Sequence, residues 1–299
     1  MRAFSFFTDK DEPRIGIEIQ DGCYDFTTIW EFFKDFKGFR HAPSLNFLQV
    51  MVEMEYFALD TFTEVVQTVR DFRPLEDVRI RKPVRFDVPI SRPQKILCLG
   101  RNYRAHAEEW GSQVPDEPIV FAKLSSSLLP HEGIVRIPDG VGRVDHEIEL
   151  AVVIGKKASR IAANAAMEAV AGYTIVNDVT ARDLQLSDMK KRHPWTLSKG
   201  FDTFCPLGPY LVPAAAVVDP HNLKMELQVN SESRQRANTR DMVVPIPEII
   251  AFISRHITLL PGDIICTGTP EGTLPIQSGD LIEATIDGLG VLRNRVAAA

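Results

Sequence analysis

The 299-residue chain is 44% hydrophobic and 25% charged, and its 34 basic and 40 acidic residues leave a net charge of −6. That is the composition of an ordinary globular protein, and it argues against a general nucleic-acid binder, whose surface must be basic to neutralise phosphates. A locally positive site for a small anion stays open.

No stretch approaches the ~18 apolar residues of a membrane span. The first residues lack the apolar run and small-residue cleavage site of a signal peptide. Cys23, Cys98, Cys205 and Cys266 are scattered, form no C-x-x-C pair and read as reduced thiols. The expectation is a cytoplasmic enzyme with no nucleic-acid or membrane partner.

In chain order, residues 1–7 and 14–19 have strand character, with Asp21-Gly22 as a turn between Ile19 and Tyr24. From 27 to about 69, apolar residues recur at helical spacing: Phe47, Val50, Met51 and Met54, then Phe62, Val65, Val66 and Val69. Pro83, Pro89 and Pro93 keep the next segment extended. A boundary there gives a small N-terminal α+β domain over 1–92 and a catalytic domain over 93–299.

In the second domain, strands are predicted at 96–99, 119–122, 147–154, 173–177, 224–229, 264–267 and 280–286. A helix over 164–170 is predicted to end at Gly172. A second helix, over 249–258, carries Ile249, Ile250, Ile253 and Ile257 on one face before Pro261-Gly262-Asp263 turns the chain. Strands and helices do not alternate regularly, so a doubly wound sheet is not expected. The predicted class is α+β and β-rich, around a twisted, mostly antiparallel sheet.

Glu147 and Glu149 stand two apart at the head of an apolar strand, so both carboxylates leave the same face. Buried, two like charges at that spacing need a cation or a shared proton; exposed, they need nothing. Residues 172–178 form another apolar strand ending in Asp178, which either joins them or caps a helix starting near Thr180. Three carboxylates without cysteine or paired histidine would make a hard oxygen site suited to Mg²⁺ or Mn²⁺. His146 points to the opposite face from Glu147 and is not counted as a ligand. His193, His221 and His256 have no evident partner and read as structural.

Four motifs then occur in order. They are Leu97-Cys-Leu-Gly-Arg-Asn-Tyr103-Arg-Ala-His106; His146-Glu-Ile-Glu-Leu150; Asn177-Asp-Val-Thr-Ala-Arg-Asp183 with Trp195-Thr-Leu-Ser-Lys-Gly-Phe-Asp-Thr203; and Gly262-Asp-Ile-Ile-Cys-Thr-Gly-Thr-Pro270-Glu-Gly272. In these the sequence resembles the fumarylacetoacetate hydrolase family over roughly residues 95–290. The resemblance implies a β-rich catalytic fold, a metal held by Glu147, Glu149 and Asp178, and a homodimer. True fumarylacetoacetate hydrolases carry a further aspartate ligand in the segment corresponding to residues 102–106, where this chain has no acid and Ala105 takes its place. The likeness is therefore to the acylpyruvase, oxaloacetate decarboxylase and hydroxydienedioate isomerase branch.

A divalent cation so held acts as a Lewis acid on a small anionic 2-oxo acid. His106 and Glu109, three apart, would face each other on a short helix; Glu109 orients the imidazole and His106 takes the proton of water, on a lid that orders with substrate. Taken alone, the pair reads rather as a solvated surface pair; the family resemblance is what favours the dyad. Lys199, hemmed by Trp195, Phe201 and Phe204, is the candidate for stabilising an oxyanion or binding a carboxylate. Gln185, Thr269, Arg101, Tyr103 and Lys123 are candidate substrate contacts.

The leading expectation is hydrolysis of an acylpyruvate-type 2,4-dioxo acid to pyruvate and a carboxylic acid. The alternatives are oxaloacetate decarboxylation and isomerisation or decarboxylation of 2-hydroxyhepta-2,4-diene-1,7-dioate. A non-enzymatic metal-binding protein would have no use for the dyad or Lys199.

Overall fold

A computed structural model describes residues 1–19, 22–39, 41–81 and 84–299; Asp21 of the expected turn and Pro83 lie outside them. The first part of the chain runs β1 (Arg2–Phe7), β2 (Pro13–Ile19), β3 (Gly22–Asp25), α1 (Phe26–Lys37), α2 (Leu48–Glu53), α3 (Leu59–Phe72) and β4 (Arg85–Asp87). It continues with β5 (Ile96–Gly100), α4 (Arg104–Glu109), β6 (Ile119–Lys123), β7 (Leu128–Leu129), β8 (Ile134–Ile137), β9 (Val144–Asp145) and β10 (Ile148–Ile154). Then come α5 (Ala163–Ala166), β11 (Val170–Asn177), β12 (Thr180–Ala181), α6 (Arg182–Lys191), α7 (Thr196–Lys199) and β13 (Cys205–Pro213). The last elements are β14 (Lys224–Val229), β15 (Glu232–Asn238), α8 (Ile246–His256), β16 (Ile264–Cys266), β17 (Leu281–Ile286) and β18 (Gly290–Ala298).

The fold is α+β and strand-rich, built on a large, mostly antiparallel sheet. Its order among the described residues is β3-β2-β1-β13-β11-β10-β16-β5-β6, with β4 on β1 and β7 on β13. A second sheet runs β15-β14-β17-β18-β8. The central strands are apolar on both faces because both are covered. Ile148, Leu150, Val152 and Ile154 of β10 enter the core that also holds Leu227, Ala284 and the α8 isoleucines. Ala151 and Val153 point the other way, into a core with Phe26, Ile29, Met51, Phe62 and Val66 of the N-terminal helices. The N-terminal strands and helices thus share both a sheet and a core with strands lying beyond the boundary at residue 92.

Three local expectations change. The helix placed over 164–170 is a single turn plus a 3₁₀ turn, and β11 begins at Val170, so Gly172 is a strand residue rather than a helix cap. Its lack of a side chain matters for another reason: a Cβ there would stand 2.3 Å from the carbonyl oxygen of Val212 on the neighbouring strand. Gly172→Ala is therefore expected to destabilise the protein by about 1–3 kcal/mol, the usual cost of overpacking, read as a lower urea midpoint at unchanged m-value. Helix α8 ends at His256, leaving Ile257 extended and 39% exposed. Phe47 and Met54 flank α2 on its exposed side, while Leu48, Met51 and Val52 face the core.

Candidate metal centre and active site

The carboxylates meet because adjacent antiparallel strands end together. Glu149 pairs with Val176 across β10 and β11, and Asp178 follows Val176 by two, so both leave the same face. The backbone just beyond is locked in both directions: the Asp178 N–H donates to the Glu147 carbonyl (2.8 Å) and the Glu147 N–H to Asn177 Oδ1 (2.8 Å). Oxygens of Glu147, Glu149 and Asp178 lie within 4.8 Å of one another, all buried. Neither bland alternative survives. The glutamates do not face solvent, and helix α6 starts at Arg182 with Ala181 in the cap position, so Asp178 caps nothing.

Buried cations surround two of the three acids. Lys199 Nζ donates to Glu147 Oε2 (2.8 Å) and Asp178 Oδ2 (2.5 Å). Arg182 bridges Glu147 Oε1 and Asp145 Oδ2, the latter at 2.7 Å. Lys123 Nζ pairs with Asp178 Oδ1 (2.7 Å). Burial opposes ionisation of Glu147, but the Lys199 and Arg182 charges outweigh it and hold the carboxyl below its usual range. Burial likewise opposes the Lys199 ammonium, and the Asp178 and Glu147 charges again win, raising its pKa.

Glu149 differs. It accepts the Gly268 N–H (2.8 Å) but has no ion pair among the described residues. Burial, reinforced by the Asp178 and Glu147 charges, pushes its carboxyl well above the ordinary range. Gly268 can make that contact because its φ of +99° suits glycine, and a Cβ would stand 2.8 Å from the Asn102 side chain. The set therefore has three convergent hard oxygens and one buried carboxylate lacking a countercharge. Glu147, Glu149 and Asp178 fit a hard divalent cation.

The acids open onto a cavity of about 90 Å³ that is also lined by Arg101, His106, Gln185, Lys199 and Thr269. His106 lies in it with Nδ1 turned to Glu109 Oε2 (3.3 Å). Glu109 stands behind, its other oxygen accepting the Gly272 N–H (3.0 Å). Burial raises the Glu109 carboxyl, but hydrogen bonds from His106 and Gly272 outweigh it and hold the group below its usual range.

Lys123 and Tyr103 do not line the cavity. The Lys123 ammonium donates to the carbonyls of Lys199 (2.5 Å) and Val179 (3.2 Å) and lies in an ion pair with Asp178 Oδ1. Tyr103 is buried with its hydroxyl on Met225 Sδ (3.4 Å). Lys199, by contrast, lines the cavity; it uses two of its three hydrogens on acids and lies 5.1 Å from the centroid of the Phe121 ring. The Thr269 hydroxyl donates to the Ile148 carbonyl (2.9 Å) and accepts from Gln235 Nε2 (2.9 Å).

Sequence reasoning assigned no role to Arg182, Gln235 or Trp110. Arg182 was visible only as a cation following Asp178, although three buried acids require such partners. Gln235, from the second sheet, accepts from the Ile148 N–H (3.0 Å), contacts His146 Nδ1 (3.0 Å) and donates to Thr269 and Pro270. It ties the strand carrying the glutamates to the turn that supplies the Gly268 N–H. Trp110 lines the cavity and stacks over the Arg182 guanidinium, 4.7 Å from the ring centroid.

Residues 95–297 match the family described as fumarylacetoacetate (FAA) hydrolase C-terminal. Mitochondrial oxaloacetate tautomerase of Rattus norvegicus is 45% identical over 224 residues, covering 72% of this chain and 70% of the relative. A fumarylacetoacetate hydrolase structure from psychrophilic Exiguobacterium antarcticum superposes with a TM-score of 0.81 at 31% identity, covering 100% of both chains. Maleylpyruvate hydrolase from Sphingobium sp. SYK-6, solved with manganese(II) and pyruvate, gives 0.76 at 32% identity, again over 100% of both.

Proposed function

The chain belongs to the fumarylacetoacetate hydrolase family, and on that premise we propose that it is a divalent-cation-dependent enzyme that hydrolyses a C–C bond of an acylpyruvate-type 2,4-dioxo acid. One observation carries this reading: a His106–Glu109 pair and a triad of buried carboxylates face the same small cavity. Mg²⁺ or Mn²⁺ held by Glu147, Glu149 and Asp178 would supply Lewis-acid polarisation of the 2-oxo acid.

With Nδ1 engaged by Glu109, His106 offers Nε2 to a water molecule and takes its proton. The water oxygen bonds to the 4-acyl carbon, and the bond between that carbon and C3 breaks. Its electron pair stays on the pyruvate fragment, whose C3 then receives the proton from His106, giving pyruvate and a carboxylic acid that ionises on release to solvent. Lys199 directs its third N–H at the developing oxyanion. Gln185, held by Arg182 Nη1 (2.5 Å), places its amide on the cavity wall to orient water or a carbonyl. Lys123 supports the site from behind, Thr269 stands in the cavity wall within reach of substrate, and Tyr103 anchors the loop ahead of α4. This chemistry belongs to residues 93–299, with 1–92 as a small N-terminal domain, in a cytoplasmic homodimer.

A second reading, oxaloacetate tautomerisation, is favoured by the 45% identity to the rat tautomerase. It needs a base at C3 but no nucleophilic water. The two separate in one assay: chelator-stripped protein, with each metal restored, on acetylpyruvate, oxaloacetate and a hydroxydienedioate. Metal-dependent release of pyruvate from acetylpyruvate is the expected result. Activity indifferent to chelation would remove the metal from the scheme, and enol–keto exchange of oxaloacetate without hydrolysis would install the second reading.

A further inference from the structure

Strand β15 is polar and largely exposed from Glu232 to Arg236, yet one side chain within that stretch, Gln235, is only 1% exposed. It reaches β10 at the point where that strand loses a neighbour. β16 pairs with β10 only from Ile264 to Cys266, against Val153 to Ala151. Ile148, which stands between two of the three carboxylates, lies past the end of that pairing. Its buried N–H and carbonyl still need partners. A side-chain amide and a hydroxyl supply them: Gln235 Oε1 accepts the Ile148 N–H (3.0 Å), and Thr269 Oγ1 donates to the Ile148 carbonyl (2.9 Å).

The orientation of the amide follows from its partners. The Ile148 N–H can only donate and the Pro270 carbonyl can only accept, so Oε1 faces the first and Nε2 the second (2.8 Å). Nε2 gives its other hydrogen to Thr269 Oγ1 (2.9 Å), and the contact of Oε1 with His146 Nδ1 (3.0 Å) requires the proton on that nitrogen. The whole capacity of the amide is thereby used, on His146, Ile148, Thr269 and Pro270. These residues flank Glu147, Glu149 and the Gly268 N–H that Glu149 accepts. We propose that Gln235 is a positioning residue for the metal centre: it stands in for a missing strand, holds Glu147 and Glu149 in their ligand orientation, and lets the second sheet set cation affinity. Without it the Ile148 N–H is buried and unpaired, and any twist of the strand end that relieves this carries both carboxylates with it. The inference rests on the cation reading above and adds a residue that does not line the cavity.

The test is the Mn²⁺ dissociation constant of the full chain, read without substrate from the electron paramagnetic resonance signal of free Mn²⁺, alongside urea melts. Gln235→Met, which keeps the bulk and removes the hydrogen bonds, is expected to weaken Mn²⁺ binding by about 10- to 100-fold, the usual worth of a group that orients a metal ligand. Thr269→Val, which breaks only the hydroxyl's part of the bridge, should show a smaller loss. Thr269→Ser, which keeps the hydroxyl, should recover it, and this pair serves if Gln235→Met does not fold. A purely structural role would lower the urea midpoint and leave the dissociation constant unchanged. That result, or a Thr269→Ser protein as impaired as Thr269→Val, overturns the proposal. A wild type that binds no Mn²⁺ defeats the cation reading itself, and the proposal with it.

Discussion

Glu149→Gln and Asp178→Asn are expected to abolish cation binding alike while moving the stability of the cation-free protein in opposite directions. Glu149 is the triad carboxylate without an ion pair among the described residues, and burial with two neighbouring acids raises its pKa. Glu149→Gln would keep an oxygen for the Gly268 N–H and relieve the repulsion and the burial of a carboxylate, so the cation-free protein should gain stability. Asp178, in contrast, accepts from Lys199 and forms a second ion pair with Lys123. Asp178→Asn would strand buried ammonium charge and cost about 3–5 kcal/mol.

Both variants should lose activity on the order of 10³-fold, since a Lewis acid contributes several kcal/mol to the transition state. Urea melts with and without Mn²⁺ read all of this. A cation-dependent midpoint shift surviving in Glu149→Gln, or an Asp178→Asn protein as stable as the parent, would refute the ligand assignment. The raised Glu149 carboxyl also fixes the sign of the pH dependence. Above the ordinary carboxylate range, cation binding must displace its proton, so affinity climbs with pH until that raised value is passed.

His106→Ala is expected to lower hydrolysis of acetylpyruvate by about 10²- to 10⁴-fold, the usual contribution of a positioned general base, while sparing metal-dependent decarboxylation of oxaloacetate, which needs no water. Glu109→Gln should produce part of the same loss, because its second oxygen anchors α4 to the Gly272 N–H as well as orienting the imidazole. Equal loss of hydrolysis and decarboxylation in His106→Ala would show that the histidine shapes the site rather than activating water.

The strands that carry the site were legible because their pattern is strong. β10 and β11 are continuous apolar runs that close on acids, and alternation places Glu149 and Asp178 on matching faces once the strands are paired. β13 was not legible. Pro206, Pro209 and Pro213 argue against a strand between two partners, yet β13 lies between β1 and β11, with Pro209 where the register to β11 shifts and Pro206 and Pro213 at its ends. Gly172 misled for a related reason. A glycine after a short helical run reads as a cap, whereas here the neighbouring strand's carbonyl demands it.

By itself the sequence determined which groups could meet: three carboxylates on matching strand faces, a histidine with an acid three residues on, and an apolar frame to bury them. Local spacing suffices there, because residues two or three apart share a face whatever surrounds them. Only the tertiary structure decided how each charge is used. Lys123, Lys199, Arg182 and Arg101 are equally cationic in the sequence. Packing alone sets Lys123 on two carbonyls and beside Asp178, divides Lys199 between two acids, holds Arg182 between Asp145 and Glu147, and leaves Arg101 in the cavity wall without an ion pair among the described residues. A buried charge takes its role from the partners the fold brings to it, and those come from strands distant in sequence.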